Sequence, residues 1–129
     1  MPEPARLVAS LVLALAGTAL AGEASAWTCR NEDLEITCDA DRCKASEGFT
    51  PMSVAVDGDG TMEVCAYSGC WQGQINQNVQ SNRWIIVASE NMRWTGTSPD
   101  TGAFALALDR ATGVAVLNGE GFAQPMICR

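Results

Sequence analysis

Met52-Ser53-Val54-Ala55-Val56-Asp57-Gly58-Asp59-Gly60-Thr61-Met62-Glu63-Val64-Cys65-Ala66 alternates large apolar residues with small or polar ones on both sides of an Asp-Gly-Asp-Gly turn. Period-two alternation places Met52, Val54 and Val56 on one face of a strand, and Met62, Val64 and Ala66 on one face of the next. The stretch therefore predicts a β-hairpin. Two carboxylates two apart also begin many calcium loops, but an EF-hand needs a bidentate glutamate at the twelfth position, which here is Ser68, and the turn is the stronger reading.

The second strand runs into Cys65-Ala66-Tyr67-Ser68-Gly69-Cys70-Trp71-Gln72-Gly73, where two cysteines, two aromatic residues and two glycines crowd together. This reads as a structural knot: cysteine for cross-linking, glycine for a bend, aromatic rings for buried area. The full set of cysteines is Cys29, Cys38, Cys43, Cys65, Cys70 and Cys128. An even count in a small exported chain implies three disulfides, although six cysteines allow 15 connectivities and sequence does not choose among them. Loop geometry favours Cys38 with Cys43 and Cys65 with Cys70, each across a turn, since the same spacing in an extended strand would span roughly 16 Å against the usual Cα separation of about 5.5 Å. That leaves Cys29 with Cys128 to tie the ends together. Zinc is disfavoured, because there is no histidine and no CxxC pair.

On the N-terminal side, Trp27 to Arg30 and Leu34 to Cys38 read as two edge strands around Asn31-Glu32-Asp33, and Asp39 to Gly48 as a surface loop held by a local bridge. On the C-terminal side, Trp71 to Ile75 continues as a strand and Asn76 to Asn82 is a polar connection. Trp84 to Ala88 is apolar enough for a central strand buried on both faces, and Ser89-Glu90-Asn91 turns into Met92 to Thr95. Gly96 to Gly102 is a loop by composition. Phe104, Leu106 and Leu108 then share one strand face, with alanines on the other; helix is the rival there, since alanine and leucine favour it. Asp109 to Gly113 closes a hairpin onto Val114 to Leu117. Pro125 marks an edge or a bend in the last stretch, Phe122 to Cys128, which is either a docking tail or the last strand. The sum predicts an all-β fold: a small antiparallel meander, barrel or sandwich, of about seven to eight strands, stapled by disulfides.

Ahead of this domain, Arg6, the apolar run Leu7 to Ala21 and Ala24-Ser25-Ala26 predict a secretory signal peptide over residues 1–26, with a cut after Ala21 as the alternative, and a single domain over residues 27–129. The apolar run is short for a membrane anchor. The expected location is periplasmic or secreted. The chain has 8 basic and 15 acidic residues. Removing Arg6, Glu3 and Glu23 with the leader leaves a net charge of −6, which argues against nucleic acid and for a basic partner.

Catalytic chemistry finds few tools. A serine or cysteine nucleophile usually has a histidine base, and there is none. Lys44, the single lysine, could activate Ser46 or Ser53 but sits in a charged stretch. Asp57, Asp59, Glu63 and Glu90 could in principle pair for glycoside hydrolysis, yet such carboxylates also suit an acidic surface. No catalytic residue, cofactor site or metal site is assigned. The aromatic residues are more informative. Trp27, Trp71, Trp84 and Trp94 could fill a barrel core; alternatively Trp94 beside Arg93, or Trp71 beside Tyr67, anchors a partner at an exposed rim.

With these residues in place, the chain resembles an uncharacterised group of small exported proteobacterial proteins. The resemblance rests on Trp27-Thr28-Cys29, the central Cys65 to Gly73, and Gly121-Phe122-Ala123-Gln124-Pro125-Met126-Ile127-Cys128, and it implies no activity. In size, export and expected barrel it is also similar to the periplasmic inhibitors of C-type lysozyme. Val87-Ala88-Ser89-Glu90-Asn91-Met92-Arg93-Trp94 resembles their serine-bearing loop, which would make Ser89 the inserted residue. It departs from them in lacking that loop's glycine-centred core and a downstream lysine, and in having three disulfides. The expected function is thus an exported non-catalytic binding protein, such as a lysozyme inhibitor, with Ser89, Arg93, Trp94, Tyr67 and Trp71 as partner-binding candidates. The alternatives are an apolar-ligand binder using the barrel mouth and a carboxylate-dependent envelope hydrolase.

Overall fold

The computed structural model describes residues 27–129 apart from Glu32 and Glu47, so the predicted signal peptide and its cleavage site lie outside the described residues. Eleven strands and no helix occur among them: β1 (Trp27–Asn31), β2 (Ile36–Cys38), β3 (Cys43–Ala45), β4 (Met52–Val56), β5 (Thr61–Cys65), β6 (Cys70–Gln74), β7 (Gln77–Gln80), β8 (Trp84–Trp94), β9 (Thr101–Asp109), β10 (Val114–Gly119) and β11 (Phe122–Cys128). Neighbours run β1-β4-β5-β6-β8-β9-β10-β11, and β11 pairs back onto β1. Eight antiparallel strands thus close a barrel. β7 adds to the free length of β8, and the β2–β3 hairpin adds to β11.

The alternation read from the sequence decides what faces inward. Met52, Val54 and Val56 on β4, Met62 and Val64 on β5, and Phe104, Leu106 and Leu108 on β9 are all buried, with Met92, Leu117 and Met126 filling the same interior. An eight-stranded barrel is just wide enough for side chains to fill it. The central hairpin is as expected. Its turn is closed by Gly60 N donating to the Asp57 carbonyl (3.1 Å), by Thr61 N donating to Asp59 Oδ1 (2.9 Å), and by Gly60 at φ 85°. The helical alternative for Ala103 to Leu108 gives way to β9, since only period two sends Phe104, Leu106 and Leu108 to one side.

Several boundaries differ from expectation. Ser89-Glu90-Asn91 is not a turn: β8 runs through it as one strand, with an irregular register between Ser89 and Met92 against β9. Such a bulge absorbs an extra residue and re-aims the side chains after it. The polar connection Asn76 to Asn82 contains β7, and the loop Asp39 to Gly48 contains β3; cross-strand hydrogen bonds override weak local propensity in both. β1 and β2 are not edge strands, since β1 lies between β4 and β11, and β2 between β11 and β3. β8 is not buried on both faces. Ile85 and Val87 point inward, whereas Trp84 and Ile86 stay exposed because a barrel wall has one solvent side. The final stretch is a strand. Pro125 pairs with Val116 on β10, and on its other edge β11 leaves β2 after Ala123 and joins β1 at Ile127, so the missing N–H falls at the break.

The three disulfides join Cys29 to Cys128, Cys38 to Cys43 and Cys65 to Cys70. Each links residues directly opposite on adjacent antiparallel strands. The first spans 99 residues and the others 5 each. Chain entropy then ranks them, at about 4.7 kcal/mol for the long loop and about 2 kcal/mol for each short one. Urea unfolding of the three paired Cys→Ala variants should show the Cys29/Cys128 pair as the most damaging, by about twofold in lost stability. Equal losses would contradict the ranking.

Asp109 ends β9 and holds the next turn: Arg83 Nη2 donates to its Oδ2 and Ala111 N to its Oδ1. These bonds, the Arg83 contact foremost, keep its carboxyl below the ordinary carboxylate value. A folded-state pKa below the unfolded value of about 3.9 means the contribution is complete above that pH and is lost as pH falls through the folded value. Asp109→Asn should therefore weaken the fold at neutral pH and flatten the acid limb of stability below about pH 4, read by urea melts across that range.

Candidate functional site

The β5–β6 turn, Ala66 to Gly69, is clamped by Cys65–Cys70 and by Ala66 N donating to the Gly69 carbonyl (2.9 Å). Tyr67 projects from it, 78% exposed. The chain then enters β6 at Cys70, and the next residue, Trp71, lies opposite Trp94 on β8. The two indoles are tilted at 54° with centroids 4.3 Å apart, and Trp71 also meets Phe104 at 5.1 Å. Glycines make room for them. A Cβ on Gly69 would lie 2.9 Å from the Trp94 ring, one on Gly96 would overlap it, and one on Gly102 would come within 3.1 Å of both Trp71 and Phe104. The knot read from Cys65 to Gly73 is thus half of an aromatic rim, and Trp94 is the other half. Both tryptophans are half-buried, between the alternatives of core and exposed anchor.

Behind this rim, the end of the barrel opens into a cavity of about 200 Å³, lined by Trp71, Phe104, Met52, Phe122, Glu35 and Glu120 among others. The two glutamates arrive by different routes. Asn31 is buried and ties the turn after β1: its Oδ1 accepts from Asp33 N (3.0 Å) and Leu34 N (3.1 Å), and its Nδ2 donates to the Leu34 carbonyl. That turn delivers Glu35, 4% exposed, to the cavity wall. Gln124 Nε2 donates to Glu35 Oε2 (3.0 Å) and contacts Met52 Sδ (2.9 Å), while Gln124 Oε1 is buried without a partner. Glu120 sits in the two-residue β10–β11 turn with Gly121, at φ 53° and 81°. The pair of left-handed residues is what a tight hairpin of this hand requires, and asparagine or glycine is the usual choice. Glutamate there is unusual, and its Oε1 accepts from Ala103 N (2.9 Å).

The five candidate residues divide. Trp71 and Trp94 pack together at this end of the barrel, Tyr67 stands on the adjoining turn beside a depression lined by Arg30, Pro51 and Ser53, and Arg93 is exposed on the outer wall beside Gln72. Ser89 does not join them. It is 1% exposed in the middle of β8, donating to the Gln74 carbonyl (2.8 Å), with Gly73 packed against it. A serine spent on an internal bond is not available for insertion into a partner, so its part in the expected interaction is withdrawn. Sequence reasoning missed Glu35, Glu120 and Gln124. The last had a signal: Phe122, Gln124, Met126 and Cys128 share one strand face, where a glutamine among apolar residues marks a buried polar group.

The carboxylates considered for hydrolysis have local work. Bonds from Thr61 hold Asp59 below the usual carboxylate range, and Glu63 accepts from Gln72 across the outer wall. Lys44 is exposed on β3. Glu63 also lies near Cys65 and Cys70, but those thiols are bonded to each other. The opposite end of the barrel has a more open depression of about 340 Å³ beside Trp27, Leu108, Arg110 and Arg129.

Gly69→Ala should push the Trp94 ring off Trp71, changing the near-UV circular dichroism and lowering stability by about 1–3 kcal/mol; an unchanged spectrum would show that the rim does not depend on this clearance. Comparison of the chain with models of known families, with curated proteins and with solved structures finds no match.

Proposed function

We propose that this chain is an exported, non-catalytic binding protein that engages a basic protein, a lysozyme being the first to try, with the aromatic end of its barrel. The observation that carries the reading is Tyr67: 78% exposed, on a turn held by a disulfide, at the strand end from which Trp71 enters its pairing with Trp94. An exposed tyrosine on a rigid turn gives contact area at low entropic cost, and Tyr and Trp dominate binding hot spots. The acidic balance favours a basic partner. The absence of histidine from the sequence supports a role in binding rather than turnover. The resemblance to lysozyme inhibitors supports the choice of partner, with Tyr67 in place of Ser89 as the contact.

A second reading, an apolar ligand in the mouth, is favoured by the cavity lined by Met52, Trp71, Phe104 and Phe122. Its volume of about 200 Å³ is below the roughly 300–1,000 Å³ of sites for drug-sized ligands, so the group received would be small.

Lysozyme turbidity assays with the oxidised protein, at low and high salt, test the first reading. Inhibition that fades with salt and weakens about tenfold or more in Tyr67→Ala is expected. No inhibition at about 50 μM protein would dispose of lysozyme as the partner.

A further inference from the structure

We infer that the cavity in the barrel mouth is a site for a protonated primary amine on a short alkyl stem, the chemistry of a lysine side chain. Three observations converge on it. First, two carboxyl side chains, Glu35 and Glu120, line the cavity, and no lysine or arginine is among its lining residues. Second, one of those carboxyl groups is fixed in place: Glu35 is 4% exposed, and Gln124 Nε2, which also contacts Met52 Sδ, donates to its Oε2 (3.0 Å) from behind the wall. A buried carboxyl is normally paired with donors, and a ligand that brings donors adds to the one that Gln124 supplies. Third, Trp71, Phe104 and Phe122 supply aromatic rings, whose faces attract cations.

Size and shape narrow the class. A volume of about 200 Å³ admits one long side chain or a small alkylamine and excludes a lipid or a drug-sized molecule. Met52 and the rings suit the methylenes, and an ammonium group with three donors suits acceptors on different sides better than a planar guanidinium does. Glu120 adds a separate hint. A glutamate at φ 53° occupies a turn position that asparagine or glycine would fill with less strain, which fits a side chain kept there for its carboxylate.

The inference rests on the reading above only for the source of the amine, a lysine of a basic partner; a free alkylamine is the other source. Titration of the oxidised protein with n-butylammonium chloride, followed by tryptophan emission or by aromatic proton shifts, separates the cases. Matched sodium chloride and neutral n-butanol serve as controls. Saturable binding of n-butylammonium below about 100 mM is expected, with n-butanol much weaker. Glu35→Gln and Glu120→Gln should each weaken it by about fivefold or more. Both substitutions keep an oxygen for the existing donor, and Glu120 is exposed, so Glu120→Gln stands if Glu35→Gln fails to fold. Equal binding of n-butanol, or no binding of n-butylammonium, would overturn the assignment.

Amine binding without lysozyme inhibition keeps the site and assigns it a free amine. Lysozyme inhibition that survives Glu120→Gln and saturating n-butylammonium overturns a partner lysine as the occupant, leaving the site to a free amine while the partner reading stands. Loss of inhibition when the lysozyme's lysines are acetylated, with its arginines intact, would identify lysine as the occupant.

Discussion

Pairing of the first described strand with the last is the constraint on which the rest depends. β1 meets β11 over a short stretch, Arg30 with Ile127 and Cys29 with Cys128, continued by the two backbone hydrogen bonds between Thr28 and Arg129, and without that contact the sheet would open with two unpaired edges. The two strands are far apart in sequence, so closure opposes a large loop entropy, which the disulfide removes from the unfolded state. Closure in turn fills the interior with Met62, Leu106, Leu117 and Met126 and leaves the outer wall and the two ends to face solvent. It also shapes one of those ends. β11 is shared lengthwise between β2 and β1, and the chain that crosses from one to the other is the Asn31 turn that sets Glu35 into the mouth.

The aromatic rim obeys a related economy of space. Indoles at a barrel end can pack against each other only if the backbone beneath them is bare, and Gly69, Gly96 and Gly102 provide that. Trp71 and Trp94 are consequently both wall and surface. Their buried edges contribute to stability, while Tyr67 stands clear of them on a turn whose geometry Cys65–Cys70 fixes. Rigid presentation follows from the same residues that hold the end of the barrel closed.

Much of the fold was legible because alternation carries it. Met52 to Ala66 and Phe104 to Leu108 each state their face, and the short cysteine spacings fit the hairpin bridges found. Elements without a strong pattern were not legible. Gln77 to Gln80, polar but for Val79, is exposed at every position, so only its partner β8 makes it a strand. The bulge at Ser89 reads locally as a turn, because Ser-Glu-Asn has turn chemistry and the hydrogen bonds that carry β8 through come from distant residues. The site was legible in part. Tyr67, Trp71 and Trp94 declare themselves by type, whereas Glu35 and Glu120 look like ordinary surface acids until topology brings residues 85 positions apart to one cavity.

Charge acts at two ranges in this molecule, and they have separate consequences for binding. Screening at physiological ionic strength limits exposed charges to about 8 Å, so the acidic surface as a whole can bias approach and orientation but adds little to a formed contact. Glu35 is in a different position: 4% exposed, hydrogen-bonded to Gln124 and backed by apolar side chains. There the dielectric is lower and a cation once seated is poorly screened. Steering by the surface would show in association rates, and retention by the mouth in dissociation rates. In the proposed complex, salt should therefore slow encounter more than it shortens residence, which separates a protein with a built receptor for one cationic group from one that is merely acidic.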